Sequence, residues 1–596
     1  MAETTVHHFA PWAGRYSQDI DWNLKPPASP NLAALVSTTA RAYARQQAFT
    51  CVMPNGMYGN LSFEETDRLS DDFAVYLREV LGIGPGKRVA VQMPNSLVTP
   101  VVVFGILKAG CVLVNVNPLC DAGEMQRQFK DSGAEALVIC DLFTDKLADI
   151  LPDTPVRDVL VASVSSLFPP LVRHVIQGIM RWWNRVVPPV AFGATRLEHA
   201  LADGRRIREG RNVEVRQYWA GIAHGDLALL QYSAGTTGVA KGAMLSHGNL
   251  LWNVEQIAAM GRAGIVDGKE VVLTALPLYH IFAFTTNLLA FFRVGARNIL
   301  VPDPRPIRKL QRAFENYPIT WVSGVNTMYG ALLHEEWFNV YPPRHLKAAI
   351  GGGAPMHPAI VRRWERLTNS RLLEGYGLTE TSPLVCFQLV NGPPKTESIG
   401  IPAPRTEVRL LDEHGRPTAQ GMPGELVVRG PQVMHGYWKL PHETAQVLRD
   451  GWLHTGDIAV MDEDFSFRIV DRKNDLITVS GLSVYPNEIE EVLSSHEKVM
   501  EAAVIGVPSA KTGEAVHAYV VKRDQSLDEA ELERHCRRHL AVYKLPARFV
   551  FCDALPKSAV GKVLRRELRR QAMLERSRPA AAGAAPARNK PAKERA

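Results

Sequence analysis

Apolar residues along the chain gather in short runs separated by polar stretches of helical period, and the alternation begins at Lys87. KRVAVQMPN predicts a strand and turn, Leu97 to Ala109 a helix, CVLVNVNP a strand, Gly123 to Ser132 a polar helix, and ALVICD another strand. The same alternation returns in EVVLTALP, NILVPD, ITWVSGV and LKAAIGGGAP. Short β-rich runs alternating with helices build parallel layers, so the pattern predicts an α/β fold of stacked subdomains sharing one large core.

From Pro402 to Gly436 the pattern changes. Gly415, Gly421, Gly424 and Gly430 punctuate apolar runs such as ELVVRG, which predicts a small β-rich subdomain. DRKND, Asp471 to Asp475, then sets five polar residues, four of them charged, between FRIV and LITV. Beyond it lie EAAVIGVP, EAVHAYVVKR, a helix from Asp528 to Leu540 and RFVFCDALP, enough for a small mobile α+β unit. The expected organisation is a large domain over 1–470, a hinge over 471–475, a small domain over 476–575 and a disordered basic tail over 576–596.

Two apolar stretches raise the question of a membrane. Val98 to Val116 is interrupted by Pro100, Lys108 and Gly110 and predicts a buried helix followed by a strand. Pro169 to Pro189 differs: Val172, Val175, Ile176, Ile179, Trp183, Val186 and Val187 share one helical face. Arg173, Gln177, Arg181, Asn184 and Arg185 share the other, and the segment holds no acid. An amphipathic cationic helix with the pair Trp182 and Trp183 fits either a peripheral membrane contact or an ordinary surface helix packed on the core.

Composition narrows the class. With 596 residues, 46% hydrophobic and 22% charged, the chain is that of a globular protein of more than one domain. Its net charge of +7 is partly local to the tail, which argues against a nucleic-acid partner and for anionic small molecules or an acidic membrane surface. Seven scattered cysteines without a CxxC pair predict reduced core thiols in a cytoplasmic protein. The N-terminal stretch, with acids, histidines and no long apolar run, is not that of a signal peptide.

Candidate chemistry centres on QYSAGTTGVAKGAMLSH, Gln231 to His247. Ser233, Gly235, Thr236, Thr237, Gly238 and Lys241 follow an apolar run and precede what reads as a helix start. Small residues admit amides to an anion and a lysine supplies charge, as in a phosphate cradle, although the Walker A spacing is absent; a surface turn has the same composition. PLYHIF sets His280 beside Tyr279 and Phe282, where it lines an apolar cavity or is simply packed. AIGGGAP and EGYGLTETS end strands in glycines, as where something flat lies against the chain. Tyr376 is then a base-stacking ring or a core aromatic, and Glu380 a Mg²⁺ ligand or a capping acid. Asp457 and Arg472 suit ribose hydroxyls and phosphate, or pair with each other. Lys562, in LPKSAVGKVLRREL, sits on a turn before a basic helix.

These motifs, with GGGAP, ELVVRGPQVMHGYW, GWLHTGDIAVMDED and RIVDRKNDLITVSGLSVYPNEIE, stand in one order across residues 30–570. The chain thereby resembles the acyl-adenylate-forming superfamily of acyl-CoA synthetases, luciferases and adenylation domains, and within it the bacterial long-chain fatty acyl-CoA ligases. The resemblance implies activation of a medium- to long-chain fatty acid by ATP and Mg²⁺, then transfer to CoA. It implies ATP and AMP contacts from Ser233, Gly235, Thr236, Thr237, Gly238, Lys241, Gly352, Gly353, Ala354, Tyr376, Gly377, Thr379, Asp457 and Arg472. Glu380 and Thr236 would bind the metal, and Lys562, His280 and Glu380 would serve catalysis. Ser480 and Gly481 would border the CoA tunnel, and Ile281, Phe284, Val325 and Met328 the acyl pocket. Asn474 falls at the hinge, where many relatives carry Asp or Lys. A carrier-protein-loading acyl-AMP ligase and an aryl or short-chain acid-CoA ligase share the motifs. A homodimer and attachment to the inner face of the membrane complete the expectations.

Overall fold

The computed structural model describes residues 10–183, 186–233, 240–480, 482–509, 511–557 and 563–577. These separate into two compact units that part between Lys473 and Asn474.

In the larger unit, among the described residues, a seven-stranded sheet takes the order Thr195–Arg196, Asp158–Ala162, Ala136–Cys140, Arg88–Gln92, Val112–Asn115, Leu227–Ser233, Lys241–Ser246. Its pairs are parallel except the last. Val112–Asn115 and Ala136–Cys140 are buried at every position, as strands covered on both faces must be. The helix Val98–Lys108 is buried on all sides, which is why it reads as apolar all round. At its end the fully buried Lys108 ammonium donates to Asp67 Oδ1 at 2.5 Å and Asp71 Oδ1 at 2.6 Å, so a charge in the core keeps its partners.

A nine-stranded sheet runs Ile401–Pro402, Leu384–Phe387, Arg371–Gly377, Ala348–Gly351, Trp321–Gly324, Val271–Thr274, Arg297–Leu300, Gln47–Val52, Tyr58–Ser62. Buried Asn95 ties it to the segment that follows Arg88–Gln92. Its amide donates to the carbonyls of Thr274 and Leu276 at 3.1 and 2.9 Å and its oxygen accepts from the Leu278 N–H at 2.8 Å. A satisfied buried amide of this kind fixes the loop leading to His280.

The third sheet is antiparallel: Glu407–Leu411, Gly424–Arg429, Trp452–Met461 and Leu448–Arg449 in order, with Phe467–Arg472 added to Trp452–Met461. Gly415 and Gly421 take φ of +76° and +82° in its turns, a region open to glycine. The strand continues through Asp471, which is fully buried, and Arg472, so the polar run DRKND begins inside the sheet.

The smaller unit carries Ile477–Val479, Leu482–Val484, Val499–Ser509, Gly513–Lys522 and Arg548–Cys552 in one sheet with helices Pro486–Ser494, Glu529–His539 and Arg565–Ser577. Asp528 caps the second helix by accepting from the Glu531 N–H at 2.7 Å. Within this unit Arg565 meets Asp475 at 3.1 Å and Glu490 at 2.7 Å. All seven cysteines are free thiols, six of them buried.

The structure amends two sequence readings. Residues after the phosphate-type loop do not start a helix: Lys241–Ser246 returns as a strand antiparallel to Leu227–Ser233, and the helix His247–Met260 begins only after it, capped by Ser246. The Pro170–Gly178 helix, continued by Ile179–Trp183, does not bury one whole apolar face. Ile176 is buried and Val172 half-buried, whereas Leu171, Val175 and Ile179 are 83%, 53% and 39% exposed. No helix among the described residues is long and apolar enough to cross a membrane.

Candidate functional site

Three sheet ends in the larger unit supply the predicted side chains. Asp457 on Trp452–Met461 lies directly across from Arg472 on Phe467–Arg472, and the Arg472 Nε donates to Asp457 Oδ1 at 2.9 Å. The other carboxylate oxygen accepts from the Tyr376 hydroxyl at 2.5 Å. Tyr376 stands at the end of Arg371–Gly377, so two sheets meet at one carboxylate. Burial, and then the Asp457 charge, raise the Tyr376 phenol well above its ordinary value and keep it a donor.

Next to Tyr376 the chain turns sharply. A Cβ on Gly377 would stand 1.9 Å from the Pro383 carbonyl oxygen, so only glycine fits. Thr379 and Glu380 follow in the short helix Thr379–Thr381. Glu380 is fastened by its carbonyl, which accepts from the Met434 N–H at 2.8 Å, and by Oε1, which accepts from the Tyr437 hydroxyl at 2.7 Å. The Lys241 ammonium lies 5.2 Å from the centre of the Tyr437 ring, at cation–π distance. Ser233 and Lys241 are themselves a cross-strand pair. Tyr437 therefore joins the phosphate-type hairpin to Glu380. The tyrosine lies in the motif HGYW, where no local pattern marks it as a site residue.

The turn after Ala348–Gly351 flanks the same region. A Cβ on Gly352 would meet the Gly375 carbonyl oxygen at 3.0 Å and the Phe282 ring at 3.3 Å, and Gly353 takes φ of +79°. Ala354 follows in this turn. At Gly352 the turn lies closely against the Gly375 backbone and the Phe282 ring, and neither glycine adds a side chain of its own.

His280 is half-buried and caps the short helix Ile281–Ala283, its Nδ1 accepting from the Phe282 N–H at 3.4 Å. The preceding Tyr279 carbonyl accepts from Gln231 Nε2 at 3.0 Å, and Gln231 Oε1 accepts from Asn115 at 3.1 Å, which fastens the PLYH segment to the strand of the phosphate-type loop. The predicted acyl-pocket residues fall in two clusters: Ile281 and Phe284, 2% and 1% exposed, belong to the main core, and Met328 to another. Half-buried Val325 packs against both.

Gly235, Thr236, Thr237, Gly238, Lys562 and Gly481 lie outside the described residues. Asn474 is exposed in a turn of the smaller unit, where Ser480 donates its N–H to the Thr512 carbonyl at 2.7 Å.

Among the described residues no group of three His, Cys, Asp or Glu could hold a metal ion. A Mg²⁺ ion shared between one carboxylate and substrate phosphates requires no such group, so Glu380, held from two sides, fits that mode.

Residues 36–438 match the family described as AMP-binding enzyme, and residues 488–562 its AMP-binding enzyme C-terminal domain. A long-chain-fatty-acid–CoA ligase of Yersinia pestis is 45% identical over 558 residues, 94% of this chain and 97% of its own. One from Escherichia coli O157:H7 is 44% identical over 562 residues, 94% of this chain and 98% of its own. Among solved structures, ATP-bound MatB from Rhodopseudomonas palustris superposes with a TM-score of 0.77 at 27% identity, covering 91% of this chain and 99% of that one. An anthranilate CoA ligase in complex with anthranoyl-AMP gives 0.80 at 23% identity over 92% and 98%, a likeness of fold.

Proposed function

The chain belongs to the AMP-binding enzymes, and from that premise we propose that it is a long-chain fatty acid–CoA ligase, making acyl-CoA, AMP and pyrophosphate from a fatty acid, ATP and CoA. The observation that carries this reading is the meeting of Tyr376, Asp457 and Arg472 beside the side-chain-free turn at Gly352 and Gly353, in a chain whose long-chain ligase relatives match it almost from end to end.

The first step brings two anions together, since the fatty carboxylate oxygen attacks the α-phosphorus of ATP and the bond to pyrophosphate breaks. The protein's task is to offset charge in advance of bond formation. Asp457 accepts the ribose hydroxyls, with Arg472 and Tyr376 holding it in place, and the Gly352–Ala354 turn faces the adenine. Ser233, Lys241 and the loop between them take the outer phosphates. Glu380, with Thr236, would hold Mg²⁺, which would supply positive charge at the phosphoryl oxygens. Lys562 supplies the cation at the reacting oxygens, an effect worth about 2.7–4 kcal/mol for a well-placed donor. In the second step the CoA thiolate attacks the acyl carbonyl and AMP leaves. Asn474 serves as the pivot between the steps and Ser480 and Gly481 border the thiol's path. His280, Ile281, Phe284, Val325 and Met328 line the acyl side.

Pyrophosphate release measured with acids from short to long, with and without CoA, tests the reading. Turnover with long-chain acids and formation of acyl-CoA are expected. A strong preference for aryl or short acids, or transfer to a carrier protein with no CoA-dependent turnover, would overturn it.

A second reading concerns where the enzyme meets its apolar substrate. The exposed stripe Leu171, Val175 and Ile179, in a segment without an acid, supports peripheral contact of 169–189 with an anionic bilayer. Flotation with anionic vesicles is expected to recover the native chain and to lose the Val175→Glu, Ile179→Glu variant; equal recovery of both folded proteins would sink the idea.

A further inference from the structure

Tyr437 belongs to a short segment that extends the seven-stranded sheet past its edge strand Lys241–Ser246. The His435 N–H donates to the Met244 carbonyl at 3.0 Å, the Met244 N–H to the Gly436 carbonyl at 2.9 Å and the Trp438 N–H to the Gly242 carbonyl at 2.8 Å, with Ala243 and Tyr437 directly across from each other. The Tyr437 N–H donates to Thr444 Oγ1 at 2.8 Å. Its backbone is therefore fixed by hydrogen bonds on both edges, independently of what its side chain does.

From this base the side chain reaches to the other sheet. Its hydroxyl donates to Glu380 Oε1 at 2.7 Å, and Glu380 stands in the short helix that follows the strand Arg371–Gly377 of the nine-stranded sheet. Its ring centre lies 5.2 Å from the ammonium of Lys241, on the seven-stranded sheet. The metal carboxylate and the phosphate-loop cation thus come from different sheets and meet in one tyrosine. Among the described residues no ion pair joins Lys241 to Glu380, and Glu380 Oε2 has no hydrogen-bond partner. One oxygen of the carboxylate is held while the other stays available to a cation. A glutamate side chain held in advance loses less freedom on meeting its ion, which is how residues that orient a metal ligand raise affinity without touching the metal.

We propose that Tyr437 is a positioning residue for the metal: its hydroxyl holds Glu380 by one oxygen, so that the other is presented to Mg²⁺ at a fixed place relative to Lys241. The proposal rests on the assignment of Glu380 to Mg²⁺ in the preceding section. Tyr437 thereby sets the spacing between the metal and the phosphate grip, which two separate sheets would otherwise leave to chance.

Calorimetric ATP binding in saturating Mg²⁺ and in EDTA, without fatty acid, tests it on the native chain, Tyr437→Phe, Glu380→Gln and the double variant. The ratio of the two Kd values is the gain in ATP affinity that the metal brings. Tyr437→Phe keeps the ring beside Lys241 and lacks only the hydroxyl. Its Kd in EDTA should match the native value, while the gain should fall by about tenfold, as when other residues that orient a metal ligand are replaced. Glu380→Gln should lose the gain as well, and adding Tyr437→Phe to it should lower the gain no further, because both act through one contact. The native gain retained in Tyr437→Phe overturns the proposal. So does equal weakening with and without the metal, the mark of a purely structural role, and so does a further loss in the double variant. The native gain retained in Glu380→Gln would instead take the metal away from Glu380, and the proposal with it, so the two failures are told apart.

Discussion

Tyr376 and Asp457, 81 positions apart in the chain, share a hydrogen bond of 2.5 Å, and Arg472 occupies the other oxygen of the same carboxylate. The carboxylate is thus oriented before any ribose reaches it, which lowers the cost of ordering it on binding.

Tyr376→Phe separates the ring from the hydroxyl. A hydrogen bond to a charged group contributes about 1.5–3 kcal/mol, so unfolding in urea should show a loss of that order. AMP affinity by calorimetry should fall less than in Asp457→Ala, which removes the acceptor itself. An Asp457→Ala protein that bound AMP as well as the native chain would contradict the assignment.

Glu380→Gln keeps an acceptor for the Tyr437 hydroxyl and removes the charge. The expected result is a Mg²⁺ titration displaced to higher concentration and a kcat lowered by about 100-fold or more, with little change in thermal stability. An unchanged Mg²⁺ midpoint in the pyrophosphate assay would move the metal elsewhere.

His247 gives stability a defined dependence on pH. The ring is 1% exposed, its Nδ1 accepts from the Leu32 N–H at 3.2 Å, and burial lowers its pKa from 6.5 to about 4, with His224 lowering it further and Asp226 opposing. A histidine held neutral in the fold contributes stability that is fully present above its unfolded value and lost as the medium is acidified from 6.5 towards 4. The loss over that interval is on the order of 3 kcal/mol. Urea unfolding at pH 7 and pH 5 should show this dependence in the native chain and a weaker one in His247→Asn.

Lys108 tests the core of the larger unit. Lys108→Ala leaves Asp67 and Asp71 without their shared cation, and breaking a buried pair from one side costs about 3–5 kcal/mol. The partial exposure of both acids, 22% and 26%, places the expected loss near the lower end, about 3 kcal/mol by denaturant titration.

Much of this was legible in one dimension because the strands are apolar at nearly every position and flanked by amphipathic helices. KRVAVQMPN, ALVICD and ITWVSGV fall on observed strands, and GWLHTGD and RIVDRKND lie on adjacent strands that bring Asp457 opposite Arg472. Contacts between distant segments were not legible. Nothing in the order of residues announces that Tyr437 reaches Glu380, or that the Tyr376 hydroxyl reaches Asp457. The return strand Lys241–Ser246 has no strand signature in the sequence because its burial does not alternate with period two, and the Ser246 cap three residues before Asn249 reads as a helix start wherever the strand ends. On the segment from Pro170 a count of apolar positions could not say which of them the core would accept; Ile176 went in and Val175 stayed out.

The pairing of Ser233 with Lys241 also makes the loop between them a matter of length as well as composition. Successive residues of a strand point to opposite faces, so removing one residue from the loop and sliding the ladder would bring Gly242 to the place of Lys241 and turn the cation to the other side of the sheet, away from Tyr437. The number of residues in the loop is therefore itself a determinant of where the positive charge stands, and a deletion there would disable the hairpin while leaving each remaining residue unchanged.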